Sequence, residues 1–188
     1  DYMKGHKRAT TEDQFLYLKE LKRNLLDFPI GINFLKPLPN IYFAEPDFLQ
    51  TDSSAVSAVQ KKQLPKTKFF LGLAFKYSKS VHLTGNALRE HCKNVSALAD
   101  VPTTSGDATG SAASIEKIRE IRSYLSQDKR LGIASGVTEE NVHLYLKEGV
   151  TDFLVATSLI DRVVGDADIL SFSKISRMAE LIKHSHDK

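Results

Sequence analysis

The sequence predicts an α/β fold built on parallel strands covered by helices. Three observations carry that expectation. Short continuous apolar runs recur along the chain. Between them lie segments whose apolar residues repeat every three or four positions, as on one face of a helix. The two kinds of segment alternate, which is the rhythm of strand-helix units. Third, a loop combining glycine with hydroxyl residues occurs three times, each time where an apolar run ends: Thr104–Ser111, Ala134–Thr138 and Ala156–Ser158.

Taken in order, residues 10–26 read as a helix, capped by Thr10 or Thr11 and striped by Phe15, Leu18, Leu21 and Leu25. Phe28–Leu35 is an apolar run broken by Asn33 and reads as a doubly buried strand. Ile41–Ala44 reads as the second strand, Ser53–Lys61 as a weak helix and Lys68–Phe75 as the third strand. Thr84–Asn94 is a helix, with Leu88, His91 and Cys92 at helical spacing. Then follow strand Ala97–Thr104, helix Ser114–Ser126, strand Leu131–Ala134, helix Glu139–Lys147, strand Phe153–Ala156 and a last helix near Ser171–Lys183. No linker interrupts this series, so residues 1–188 are expected to form one domain. One connection does not fit. Residues 36–40 are too few for a parallel crossover, which needs about 10–12. An eight-stranded barrel takes about 250 residues. The reading that reconciles these facts has residues missing before Asp1 and between Leu35 and Ile41.

Composition narrows the function classes. At 188 residues and 41% hydrophobic, the chain has enough apolar material for a real core. The net charge of +3 is spread out. The basic residues near the N-terminus (Lys4, His6, Lys7, Arg8, Lys19, Lys22) are diluted by acids, so no nucleic-acid partner is expected. Cys92 is the single cysteine, which excludes an intrachain disulfide and fits a reducing, cytoplasmic setting. No apolar run approaches the roughly 20 residues that span a bilayer.

In parallel α/β folds the ligand lies at the C-terminal ends of the strands. The strand ends therefore supply the candidates. Gly106 and Gly110 let the backbone turn and approach a ligand closely. Amides there, with the hydroxyls of Ser105, Thr109 and Ser111, suit an anion such as phosphate; plain turn chemistry is the alternative. Ser135 and Gly136, then Thr157 and Ser158, repeat the pattern and form the expected phosphate cradle. Lys76 ends an apolar strand and suits acid/base work or polarising a carbonyl, or is an exposed loop lysine. Asp107 suits acid/base work or a ribose hydroxyl, or caps its own loop. Asn33 is an orienting contact or a satisfied structural amide. Glu45 and Asp47 suit a divalent ion less well than an ordinary turn around Pro46. No histidine pair has metal-ligand spacing, so neither metal nor cofactor is expected.

These residues carry a resemblance. Ala97–Asp100 with Ser105–Gly110, then Ala134–Val142 with Tyr145 and Leu146, then Val155–Leu159, resemble the C-terminal half of the BtpA family. Phe28–Asn33 is similar to that family's third strand, and Gln50–Asp52 to its segment after the fourth. The resemblance implies a TIM (β/α)8 barrel of the phosphate-binding type, with this chain starting after strand two. It implies a phosphorylated small-molecule ligand, such as a phosphosugar, a phosphoribosyl compound or a nucleotide. An isomerase, lyase or transferase acting on it would follow, related in fold to phosphoribosylanthranilate isomerase. The alternative it implies is a non-catalytic assembly factor for a membrane complex, as in photosystem I biogenesis, with peripheral membrane association. Homo-oligomers fit either reading. The chain departs from the family in one strand. Where the family has an Asp and a His before a Val-Lys-His run, this chain has Gly72 and Ala74, then Phe75-Lys76-Tyr77. Binding therefore carries over further than catalysis.

Overall fold

A computed structural model of the chain describes residues 11–25, 27–34, 44–53, 56–164 and 167–183. In chain order the elements are α1 (Thr11–Asn24), β1 (Gly31–Phe34), β2 (Phe48–Thr51), α2 (Ala58–Gln63), β3 (Lys68–Gly72), α3 (Gly85–Leu98) and β4 (Val101–Thr104). They continue as α4 (Ile115–Tyr124), β5 (Gly132–Ala134), α5 (Val142–Lys147), β6 (Asp152–Leu154), β7 (Ile160–Val164), β8 (Ala167–Leu170) and α6 (Phe172–Lys183).

Strands β1 to β6 form one parallel sheet in which each strand lies beside its predecessor in the chain. The sheet curls into a half-barrel. The winding never reverses, and right-handed crossovers then deliver every covering helix to the same face. The core fills the space between that face and the helices. Phe34, Leu49, Phe69, Leu71 and Ile133 project from the strands. Leu88, Cys92 and Val95 of α3 and Ile118 and Ile121 of α4 meet them at helical spacing. The strand pleat then decides the site. Phe34 turns outward onto Phe15 of α1, ring centroids 5.7 Å apart, so Asn33 turns to the opposite face. Gln50 lies directly opposite Asn33 in register and shares that inner face.

Lysines finish several element ends. Lys129 donates to the carbonyls of Ser96 and Ala99, and Lys61 to that of Leu98 and to Asp100. These carbonyls belong to the last turn of α3 and its exit, where helical partners run out.

The structure alters the expected elements in three places. The neighbour of β1 is Phe48–Thr51 rather than Ile41–Ala44, whose residues 41–43 lie outside those described. Residues 35–47 then make the connection, long enough for a crossover of about 10–12 residues. The objection raised by the short connection therefore falls away, and the expected break between Leu35 and Ile41 lies outside the described residues. Ala97 and Leu98 extend α3 rather than opening a strand, since both are strong helix formers and Leu98 packs against the core. Last, Ile160–Val164 and Ala167–Leu170 pair as an antiparallel hairpin where no strands were expected.

Candidate functional site

A cavity of about 660 Å³ opens over the C-terminal ends of the sheet. Its lining reaches from Asn33 and Gln50 on β1 and β2 to Thr157 and Ser158 beyond β6. On a flat sheet, β2 and β6 would stand about 19 Å apart at 4.8 Å per strand step. The curl brings both walls to one cavity.

Lys76 is the central side chain. Its ammonium donates to Ser135 Oγ at 2.7 Å and to Thr109 Oγ1 at 3.3 Å. It thereby joins the loop after β3 to the loops after β4 and β5. Its main-chain N–H donates to Ser105 Oγ at 2.9 Å. Tyr77 reaches the same loop: its phenol accepts from the Thr109 N–H at 3.2 Å and lies 3.3 Å from Thr109 Oγ1. These Thr109 contacts hold the phenol below its ordinary pKa. Behind the loops, Lys117 of α4 donates to the carbonyls of Ala74 (2.7 Å) and Ser105 (2.9 Å). Burial lowers its pKa, and the charge of Asp107 acts in the opposite sense. Ser114 starts α4 by accepting from the Lys117 N–H at 3.2 Å, so the helix cap also sets where this amine emerges.

The backbone of the site is unusual. Ala74, Tyr77 and Ser135 have φ of 46°, 59° and 77°, and they are the non-glycine residues in this region among those described. All three lie just past the ends of β3 and β5, where rarely populated conformations often mark functional loops. Gly136 follows with φ 68°. A Cβ added there would stand 2.3 Å from the Ser111 carbonyl oxygen, and one added at Gly106 would stand 2.2 Å from it. One carbonyl thus closes over two glycines and locks the loop after β4 onto the loop after β5.

The expected site residues divide into two groups. Lys76, Asn33, Thr109 and Gly110 line the cavity, as do both parts of the expected cradle, Ser135 with Gly136 and Thr157 with Ser158. Ser158 Oγ also donates to the Val137 carbonyl at 2.7 Å, tying the two cradle loops together. Ser105 and Gly106 are buried beneath this surface. Ser105 Oγ donates to the Gly106 carbonyl at 2.8 Å, so this hydroxyl braces the loop from within. Asp107 is exposed and stands outside the cavity lining. Asn33 is exposed rather than enclosed, because it faces the open inner side of the sheet.

Sequence reasoning passed over two lining residues, Gln50 and Asp52. Gln50 is 3% exposed, and its Nε2 donates to Asp52 Oδ1 at 3.0 Å. The signal for them was an amide inside a short run, Phe48–Thr51, that ends in a carboxylate. Gly72 has no room for a side chain: a Cβ would stand 2.0 Å from the Asp52 carbonyl oxygen.

Other candidates resolve as structure. Asp47 accepts from Lys22 and from the Ile30 N–H, and Glu45 from the Lys66 N–H, so this pair is engaged in folding contacts. Among the described residues, no group of three or more His, Cys, Asp or Glu could hold a metal ion. Burial pushes the Cys92 thiol up to about 11, which keeps it protonated and unreactive at neutral pH. No described helix is long and apolar enough to cross a membrane. A scan against protein-family models finds no match to the chain, and a search of curated proteins finds none either.

Proposed function

We propose that this chain is a phosphate-binding barrel protein, of the eight-stranded kind that its likeness to the BtpA family implies, and that it binds a phosphorylated small molecule in the cytoplasm. The observation that carries the reading is the Lys76 ammonium held 2.7 Å from Ser135, beside the Ser135-Gly136 turn and the Thr157–Ser158 loop that share its cavity. A dianion placed there would meet a cation, several hydroxyls and the main-chain amides of two tight turns. In this reading Lys76 binds the phosphate or polarises a carbonyl beside it. Thr109, held by the Tyr77 phenol, flanks the ligand, and Asn33 orients its far end. An isomerase, lyase or transferase reaction fits this arrangement, with the reaction class resting on fold analogy.

Titration calorimetry and thermal shift with inorganic phosphate and ribose 5-phosphate test the binding. At a hundredfold excess over Kd a ligand stabilises by about 2.7 kcal/mol. For a chain of this size that is a rise in Tm of about 5–10 °C. Lys76→Met should weaken binding by about tenfold or more. Absence of stabilisation by any phosphorylated compound would reject the reading.

A second reading, a non-catalytic binding or assembly factor for a membrane complex, has one observation in its favour. Position 72, where the resembled family carries an Asp, leaves no space here for any side chain. Turnover of any phosphorylated substrate would reject that reading.

A further inference from the structure

We infer that Ser135 and Lys76 form a nucleophile and its general base, and that the cavity takes a small carboxylic ester or thioester whose acyl group passes through Ser135 before water removes it. This activity goes beyond the phosphate reading and does not need a phosphorylated ligand.

Three serines stand in the loops that follow β4, β5 and β6. Ser105 Oγ donates to the Gly106 carbonyl at 2.8 Å and Ser158 Oγ to the Val137 carbonyl at 2.7 Å, so both of those hydroxyl protons are engaged. Ser135 differs. Its hydrogen-bond partner among the described residues is the Lys76 amine, 2.7 Å away, and the serine is the acceptor. The proton of its own hydroxyl is therefore uncommitted. When the amine is neutral the same line runs in reverse, and the Ser135 O–H donates to Nζ. A hydroxyl and an amine within about 2.6–3.2 Å have the reach of a nucleophile and its base, and serine with lysine is one of the pairings that does this work. Thr109 Oγ1, 3.3 Å from Nζ, holds the amine from a second side. The neighbouring amine, Lys117, donates to the Ala74 and Ser105 carbonyls and stands outside the cavity lining, so it does not compete for the role.

The backbone points the same way. Strand β5 ends at Ala134, and Ser135 follows at once with φ 77°, between Ala134 and Gly136. Glycine would make this turn with less strain. A serine kept in a strained turn directly off a strand, with small neighbours, is how a nucleophilic hydroxyl is raised into a cavity. The main-chain N–H groups of Gly136 and Val137 donate to no described residue, although Val137 is 3% exposed, and both residues line the cavity. Buried N–H groups rarely go unpaired, and these two are the donors open to an oxyanion beside Ser135. Phe48, Phe75, Phe153 and Val155 in the lining offer apolar surface to an acyl chain.

The steps balance. Ser135 Oγ bonds to the acyl carbon, its proton passes to the neutral Lys76 amine, and the carbonyl electron pair moves onto oxygen. As the oxyanion collapses, the bond to the leaving alcohol or thiol breaks, and the Lys76 ammonium returns the proton to it. Water then adds to the Ser135 ester and gives a proton to the amine. The acid departs and Oγ takes that proton back. Ester and water enter, acid and alcohol leave, and both side chains are restored.

Treating the full chain with an alkyl phosphonofluoridate and with para-nitrophenyl butyrate tests this. The phosphonate should land on Ser135, located by peptide mass mapping, and the ester should release a burst of one equivalent of nitrophenol per chain before a slower steady rate. Lys76→Met, and Lys76→Arg with its permanently charged side chain, should each slow labelling of Ser135 by about a hundredfold or more. Ser135→Gly suits the left-handed backbone, so it should keep the parent circular dichroism while losing both adduct and burst. An unlabelled Ser135 in the parent protein overturns the inference. So does labelling at the parent rate in Lys76→Met, or a burst that survives in Ser135→Gly. None of these readouts depends on phosphate, so this inference and the phosphate reading fail separately.

Discussion

Gly110 and Gly136 share a left-handed backbone, φ 80° and 68°, but not a neighbourhood. Nothing lies within 4 Å of a Cβ built on Gly110, whereas one built on Gly136 runs into the Ser111 carbonyl and the Ala112 nitrogen. The two positions therefore separate conformational strain from steric conflict. Gly110→Ala should cost about 1 kcal/mol, the price of the left-handed region alone. Gly136→Ala adds a main-chain collision and should cost about 2–4 kcal/mol. Urea midpoints measure the difference, and equal losses would show that the Ser111 contact relaxes freely. The sequence marked Ser135-Gly136 as a turn near a ligand. It held no sign that Ser111, more than twenty residues earlier, closes over it, because that contact exists only once β4 and β5 pair. Asn33 teaches the complementary point. A polar residue in an apolar run looked enclosed, and it is exposed, because the pleat sends it to the concave side while Phe34 takes the core.

Elements are joined here by side chains that sequence periodicity does not reveal. Asp47, just before β2, accepts from the Ile30 N–H at 2.8 Å and from Lys22 of α1 at 2.9 Å. It clasps the first helix to the first two strands. The Ile30 amide, and after it Lys22, hold the carboxyl below its ordinary pKa. A carboxyl with a lowered folded pKa adds stability that is fully present above its unfolded value and is lost as pH falls through the folded value. Asp47→Asn should therefore flatten the acid limb of the stability curve below about pH 4. At neutral pH the loss should be about 1 kcal/mol or less, because the side chain is 41% exposed and screened. Chemical denaturation at pH 3 and pH 7 checks both; an unchanged acid limb would remove Asp47 from the clasp. Strand β2 itself shows why one element was misplaced. Phe48-Leu49-Gln50-Thr51 carries two polar residues, so a search for continuous apolar runs favours Ile41–Ala44 instead. Gln50 is polar because it faces the cavity. The residue that hid the strand is the one that serves the site.

Over the whole molecule the alternation of strands and helices was legible, and it fixed the parallel sheet and the cavity at its C-terminal ends. The β7–β8 hairpin was not legible, since Asp161 and Arg162 in β7 and Asp168 in β8 interrupt its apolar residues and leave no continuous apolar run. Its Val163 and Val164 are each 54% exposed, unlike the buried residues of the main sheet. Hydrogen exchange should rank these parts: slowest in β3 and β4, which have neighbours on both sides, and fastest in β7 and β8. Equal protection of the hairpin would mean that something covers it in solution. The sequential order of the sheet also bears on how the chain is made. Each of β2 to β6 docks beside the strand that left the ribosome just before it, and α3, α4, α5 and α6 pack each on the next. A nascent chain never has to hold an apolar strand open for a partner still to be translated. The order of synthesis is the order in which the sheet is needed.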